Sequence, residues 1–240
     1  MCGAEGMQAQ FQGLAGVVGM LDFQNEIIDL DDAPAGFWPQ TDDHAKFAVM
    51  PRKRAFDVIG AVLLLIPLAV FAILLCALNP FLNRGPVLFV QKRMGYHCRP
   101  FTALKFRTMT AGPGLTRGAF DGLETERITG LGRFMRRTRI DELPQIINVL
   151  RGEMTLIGPR PDSYEHARVY LHVVPGYRER HQIVPGISGF AQTEVGYVDG
   201  LDGVHRKVAA DLHYIAHATL RFDLWITWRT LVVVFGQRGH

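Results

Sequence analysis

The pattern of apolar and polar positions divides the chain into three stretches. Residues 1–50 show no sustained period and read as a disordered or loosely docked extension, with one helical turn expected at Phe23–Leu30. From Val58 to Leu78 runs VIGAVLLLIPLAVFAILLCAL, uncharged and strongly apolar, which would span about 30 Å as a helix. Beyond it, residues 87–91 (VLFVQ) and 101–109 (FTALKFRTM) alternate like strands, with Gly95 and Pro100 between them, and predict a β-hairpin. Residues 112–130 are Gly-rich and polar and read as a loop. Helices are expected near 141–151, 162–174 and 204–217, and again over Phe222–Phe235. In that last helix Trp225, Trp228, Leu231 and Val234 share one face, which suits a membrane interface as well as core packing. The fold class is α+β: mainly α with a small β-hairpin, divided as 1–50, a membrane segment at 51–84, and a body at 85–240.

Two details refine the apolar run. Pro67 sits near its middle, where it removes a backbone hydrogen bond and favours a bend. Basic residues flank both ends: Arg52, Lys53 and Arg54 before it, and Arg84, Lys92, Arg93 and Arg99 after it. A spanning helix carries its basic excess on one side only. The pattern therefore predicts a re-entrant helix–break–helix with both ends in the cytoplasm. A single span kinked at Pro67 is the alternative, and a buried core helix suits the length poorly.

Charge and cysteine usage narrow the partners. The chain carries +3 overall, but its first 50 residues hold eight acids and one lysine, so the remainder is strongly basic. That body suits phosphates, nucleic acid or acidic headgroups. Cys2, Cys76 and Cys98 are scattered without a CxxC pair, which excludes a disulfide framework and a cysteine-built zinc site. The first twenty residues lack the basic start of a secretory signal.

The densest candidate chemistry lies in RFMRRTRIDELPQIINVLRGEMTLIGPRP, from Arg133 to Pro161. Asp141 and Glu142 are adjacent, Pro144 suits a first helical turn, and Gly152 suits a helix end. At a helix N-terminus, below Arg136, Arg137 and Arg139, both carboxylates are expected to be ionised with lowered pKa. Such a pair could attack phosphorus or hold magnesium; it could also merely cap a helix and pair with surface arginines. Arg160, between two rigid prolines in GPRP, can grip a phosphate bidentately. Arg180 precedes a tight Pro185–Gly186 turn in RHQIVPGISGFAQ, and Asp211 is a further acid in HRKVAADLHYI.

Taken in order, KRAFD, the apolar run with its proline, KFRTM, RRTRIDELPQIINVLRGEM, GPRP, PGISGFAQ and D..YI resemble the monotopic phosphoglycosyl transferase family over residues 51–235. These are bacterial sugar transferases that begin exopolysaccharide, capsule or related glycan assembly. The resemblance implies a re-entrant membrane helix, interfacial amphipathic helices and a compact catalytic domain at 85–240, on the cytoplasmic face of the inner membrane. It implies Asp141 as covalent nucleophile, Glu142 as the acid associated with Mg²⁺ beside Asp141, and Arg136 as a phosphate-gripping arginine. Lys105 and Arg107 of KFRTM, Arg160 and Pro161 of the PRP motif, and Arg180 and Asp211 fall at substrate-binding positions. The implied partners are a UDP-sugar and polyprenyl (undecaprenyl) phosphate, with UMP released.

The chain departs from the family pattern where Ile66–Pro67 replaces Ser-Pro, where Arg139–Ile140 replaces Ser followed by Leu or Ile, and where Phe190 replaces Trp. None of these removes a catalytic group. The alternative function is an inactive membrane scaffold that regulates polysaccharide assembly, against which the intact Asp141, Glu142, Arg136 and Lys105 argue. Nucleic acid is not expected as a partner, given the membrane run. His213 and His217, at i and i+4, read as a solvated helix face for want of a third metal ligand. The sugar, the glycan pathway and a homodimeric state are not encoded in these motifs.

Overall fold

The computed structural model describes residues 50–83, 85–110, 118–121, 125–196 and 200–235. The expectations for residues 1–49, including the turn at Phe23–Leu30, lie outside them. The described residues are mostly helical, with two small sheets.

Helix α1, Pro51–Leu82, is helical throughout, and the break expected at Pro67 does not interrupt it. Proline there costs one hydrogen bond, to the Leu63 carbonyl, and a ring clash, together about 3 kcal/mol. A full break in an apolar setting would expose several more backbone groups at several kcal/mol each. Continuity is the cheaper solution.

One stripe of α1 is buried: Lys53, Asp57, Ala61, Leu75 and Asn79, at spacings close to multiples of the helical repeat, and Asn83 just past its end is buried as well. Phe56, Leu68, Phe71 and Ala72 are half-buried against the core, whereas Ile59, Val62, Leu63, Ile66, Val70 and Ile73 are exposed. Only 11% of its most apolar window is buried, so α1 is not the core helix of a soluble domain. It is long and apolar enough to cross a membrane.

The expected hairpin is present. Strands β1 (Leu88–Met94) and β2 (Pro100–Phe106) pair antiparallel, Leu88 opposite Phe106 and Met94 opposite Pro100. Helix α2 (Gly130–Arg137) follows, its first turn capped by Thr129 Oγ1, which accepts from the Gly132 N–H at 3.0 Å. Gly132 lies against the Thr108 carbonyl so closely that a Cβ would stand 2.0 Å from its oxygen. Helix α3 (Gln145–Arg151) ends at Gly152 in the left-handed conformation, φ 82°, as its place in the sequence predicts.

A second sheet was not foreseen: β3 (Thr155–Ile157) and β4 (Gly186–Ser188) pair in parallel. Three-residue strands are too short to show an alternation. Between them runs α4 (Tyr164–Val173); after them come α5 (Phe190–Glu194), α6 (Gly200–His217) and α7 (Leu220–Phe235).

Among the described residues, three apolar patches tie the elements together. Ile157, Ile183, Tyr214, Ile215 and Ile226 join β3 to α6 and α7; Ala61, Ile146, Val149 and Met154 join α1 to α3; Leu75, Phe106 and Met135 join α1 to β2 and α2. Met135 is buried packing. At its start α1 is also held by charge. Lys53 Nζ lies 2.8 Å from Asp223 Oδ2 and 3.5 Å from Asp57 Oδ1, and donates to the Ile157 carbonyl at 3.1 Å. Asp57 accepts from Thr155 Oγ1 and the Leu156 N–H, while Tyr214 donates to Asp223 at 2.6 Å. At its end, Asn83 Nδ2 donates to the Arg107 carbonyl at 2.7 Å.

Candidate active site

The acidic pair forms its own turn before α3. Arg139 adopts the left-handed conformation, φ 59°, unusual for a side chain with a Cβ, and Ile140–Glu142 follow as a single 3-10 turn. That reversal turns the chain from α2 into α3 and buries both carboxylates. Asn148, fully buried on α3, donates to the Thr102 carbonyl at 2.7 Å and accepts from the Leu104 N–H at 3.1 Å. These two bonds fix α3 against β2 and bring Lys105, the next residue on the strand, to the pair.

Glu142 is saturated. Its Oε1 takes Lys105 Nζ at 2.8 Å and Arg160 Nη2; its Oε2 takes Arg160 Nη1 at 2.9 Å and Arg139 Nη1 at 3.5 Å. Burial would raise its pKa, but Arg160 and Lys105 outweigh that and hold it well below the usual carboxylate range. Asp141 is the opposite case. Among the described residues its carboxylate takes no hydrogen bond or ion pair. Burial, with Glu142 beside it, pushes its pKa up to about 6, against the pull of Lys105, Arg160 and Arg136. The expectation that the arginines lower both pKa values therefore holds for Glu142 and fails for Asp141, because desolvation exceeds attraction at the residue that has no contact partner. Burial likewise brings Lys105 down to about 8 despite Glu142.

Arg160 reaches the pair from the loop after β3, and that loop is tied from every side. Gly158 N donates to the Ser188 carbonyl and Gly186 N to the Pro159 carbonyl, both at 2.9 Å. A Cβ on Gly186 would stand 2.2 Å from Gly158 N, so only glycine allows this approach. Arg180 Nη2 donates to the Arg160 carbonyl at 2.7 Å, and Arg93 Nη1 donates to the Pro161 carbonyl at 2.6 Å.

Arg180 and Asp211 are fully buried and paired with each other at 2.7 Å. Arg180 also pairs with Asp162, which accepts from Lys207 at 2.5 Å and Tyr177 at 2.8 Å. These residues hold the loop from beneath rather than lining an open surface. Arg107 is also turned away, donating to the Asn83 carbonyl at the end of α1. Arg136 stays near: its Nε donates to Thr108 Oγ1 at 2.9 Å, and its charge acts on Asp141.

The sequence reading missed Arg93, Asp162, Lys207 and Asn148. A signal existed for one of them: Lys207 stands four residues before Asp211 on the face that buries Val204, Val208 and Ile215. Charge on a core face announces a buried pair. His213 and His217 lie with ring centroids 4.3 Å apart and planes tilted by 31° on α6, and no cluster of three metal-ligating side chains occurs among the described residues. On α7, Leu224, Trp225, Trp228, Leu231 and Val232 are exposed while Asp223 and Ile226 are buried, which favours the interfacial reading of the tryptophan face over core packing.

A magnesium ion shared with phosphate oxygens and water needs only one or two protein carboxylates. Asp141 supplies one with no partner, and Glu142 supplies a second where Arg160 releases it, so the residues fit such an ion.

Residues 48–237 match the family model for bacterial sugar transferases. Over 192 residues the chain is 38% identical to the UDP-N-acetylgalactosamine-undecaprenyl-phosphate N-acetylgalactosaminephosphotransferase of Aeromonas hydrophila, covering 78% of this chain and 45% of that protein. It is 39% identical over 188 residues to the undecaprenyl-phosphate glucose phosphotransferase of Komagataeibacter xylinus, covering 76% and 35%. The UDP-glucose:undecaprenyl-phosphate glucose-1-phosphate transferase of Caulobacter vibrioides is 37% identical over 194 residues, covering 79% and 69%. The first two matches thus span less than half of the relative's length. The chain belongs to the bacterial sugar transferase family.

Proposed function

We propose that this bacterial sugar transferase moves a sugar 1-phosphate from a UDP-sugar to undecaprenyl phosphate, through a covalent intermediate on Asp141. The observation that carries the reading is the inequality of the acidic pair: Glu142 is locked by cations, while Asp141 is buried among the same cations with its oxygens unclaimed. A carboxylate kept available in that way is a nucleophile in waiting.

In the first step an Asp141 oxygen attacks the β-phosphorus. The bond from that phosphorus to the bridging oxygen of the α-phosphate breaks, and UMP leaves with the bonding electrons. In the second step a phosphate oxygen of the lipid attacks the same phosphorus. The phosphorus–Asp141 bond breaks, which restores the carboxylate and yields a polyprenyl diphosphate sugar. There is little else for the protein to do chemically, so catalysis is positioning and charge neutralisation by Arg136, Lys105 and Arg160. Mg²⁺, held by Asp141 and Glu142, would add neutralising charge on the diphosphate oxygens.

One substrate is soluble and the other is a lipid, so the site belongs at a bilayer surface. Both ends of α1 are tied to the same body, through Lys53–Asp223 at the start and Asn83–Arg107 at the end. A helix crossing a hydrocarbon core about 30 Å thick would separate them. We therefore place α1 in one leaflet, with its exposed apolar face in lipid, both ends on the cytoplasmic side of the inner membrane, and the tryptophan face of α7 at the interface. In a cysteine-free background, Phe81→Cys should react with an impermeant maleimide only after permeabilisation; labelling from the periplasm in intact cells would overturn this placement.

The activity is tested by UMP release from a panel of UDP-sugars with solubilised protein, Mg²⁺ and undecaprenyl phosphate. Release with one sugar, lost in Asp141→Asn, is the expected result and names the donor. Full release in Asp141→Asn would eliminate the covalent scheme.

A further inference from the structure

A carboxylate offers about four lone-pair sites, and Glu142 has a cationic donor at each. No site remains on Glu142 for a metal, which leaves Asp141 alone to hold one. Charge points the same way: Lys105, Arg136, Arg139 and Arg160 already face two carboxylates, so a dication entering alone would join a cluster with surplus positive charge. A nucleoside diphosphate reverses that balance. Its oxygens suit a guanidinium fork as well as a carboxylate does, and they also complete a magnesium shell.

We propose that Arg160 stands in for the divalent cation in the substrate-free protein. The ion then enters only with a nucleoside diphosphate that draws Arg160 from Glu142 onto its own phosphate. The proposal rests on the reading above that a divalent ion works between the acidic pair and the donor diphosphate.

The geometry suits a side-chain exchange without movement of the loop. The Arg160 carbonyl is pinned by Arg180, the Pro161 carbonyl by Arg93, and Gly158 and Pro159 are bonded to β4 and its approach. Only the guanidinium, held by Glu142 and by the Ile187 carbonyl at 3.1 Å, is free to change partners. Lys105 remains on Oε1 through the exchange, so Glu142 is never left buried without a counter-charge. Arg160 thereby orders the reaction: metal alone is held weakly, and the metal–donor complex is admitted as a unit.

Mn²⁺ can replace Mg²⁺ as a paramagnetic probe, with binding read by electron paramagnetic resonance and water proton relaxation rather than turnover. The full chain without nucleotide should bind Mn²⁺ weakly, and Arg160→Met should bind it at least tenfold more tightly. The gain should vanish in Arg160→Met/Glu142→Gln. In the unsubstituted protein, which needs no refolding argument, UDP should produce a ternary relaxation enhancement absent with Mn²⁺ alone. Equally tight Mn²⁺ binding to the unsubstituted protein without UDP would overturn the exchange while leaving a metal at the site. Absence of Mn²⁺ binding to either protein, with or without UDP, would overturn both the exchange and the metal in the reading above.

Discussion

Two of the buried ionic clusters among the described residues are built to different rules. At the start of α1, Lys53 lies between Asp57 and Asp223, and Thr155, Leu156 and Tyr214 take up further carboxylate oxygens. Each acid there is engaged, and the cluster does one thing, which is to fasten α1 to β3 and α7. At the acidic pair, cations outnumber acids, Glu142 is bonded by three of them, and Asp141 takes no contact among the described residues. The structural cluster engages every carboxylate, and the catalytic one leaves the reacting carboxylate open and holds everything around it.

The largest expected effect comes from the open charge. Asp141→Asn should lower transfer by about 10⁴-fold or more, as loss of a nucleophile does. The same change should stabilise the fold at neutral pH. With its pKa raised to about 6, Asp141 favours the folded state while protonated, and that contribution is lost as pH rises from its unfolded value through 6. Removing the charge should recover on the order of 1–3 kcal/mol, read by thermal unfolding. A destabilised, inactive Asp141→Asn would dissolve the contrast between the clusters.

The closed cluster predicts the reverse. Lys53→Met leaves Asp57 and Asp223 buried without their cation and should destabilise by about 3–5 kcal/mol, with activity lost only through the fold. A thermal midpoint within a degree of the unsubstituted protein would show that this knot is not structural.

Next in size is the pH profile of kcat/KM. Asp141 must be ionised, so the acid limb should lie near 6; Lys105 loses its charge near 8, which sets the alkaline limb. Lys105→Arg should move the alkaline limb upward and leave the acid limb in place. The smallest effect is expected at Trp228, which is exposed on α7. Trp228→Ser should weaken vesicle binding a few-fold with little change in thermal stability. A large loss of stability would return that residue to the core.

The parts of this design legible in the sequence are those written locally. The hairpin shows in its alternation, the later helices in their periodicity, Gly152 in its position after an apolar face, and the acidic pair in its arginine-rich setting. Strands β3 and β4 were hidden because three residues carry no period. Asn148 was hidden because, between Ile147 and Val149, it reads as an interruption of an apolar face when it is the hinge pin between α3 and β2. Arg107 and Arg180 look like Arg160 in sequence, and only contacts distant along the chain assign one to a helix end, one to a buried pair and one to Glu142. The raised pKa of Asp141 follows from burial, which no neighbouring residue type announces.

If Asp141 carries the phospho-sugar, the adduct should form in the absence of the lipid. The protein is mixed with its UDP-sugar and Mg²⁺ without undecaprenyl phosphate, quenched, digested and weighed by mass spectrometry. Up to one UMP should be released per chain, with a sugar-phosphate adduct on the peptide bearing Asp141 that is discharged when the lipid phosphate is added. UMP release that requires the lipid from the first turnover, with no adduct on that peptide, would contradict a covalent role for Asp141.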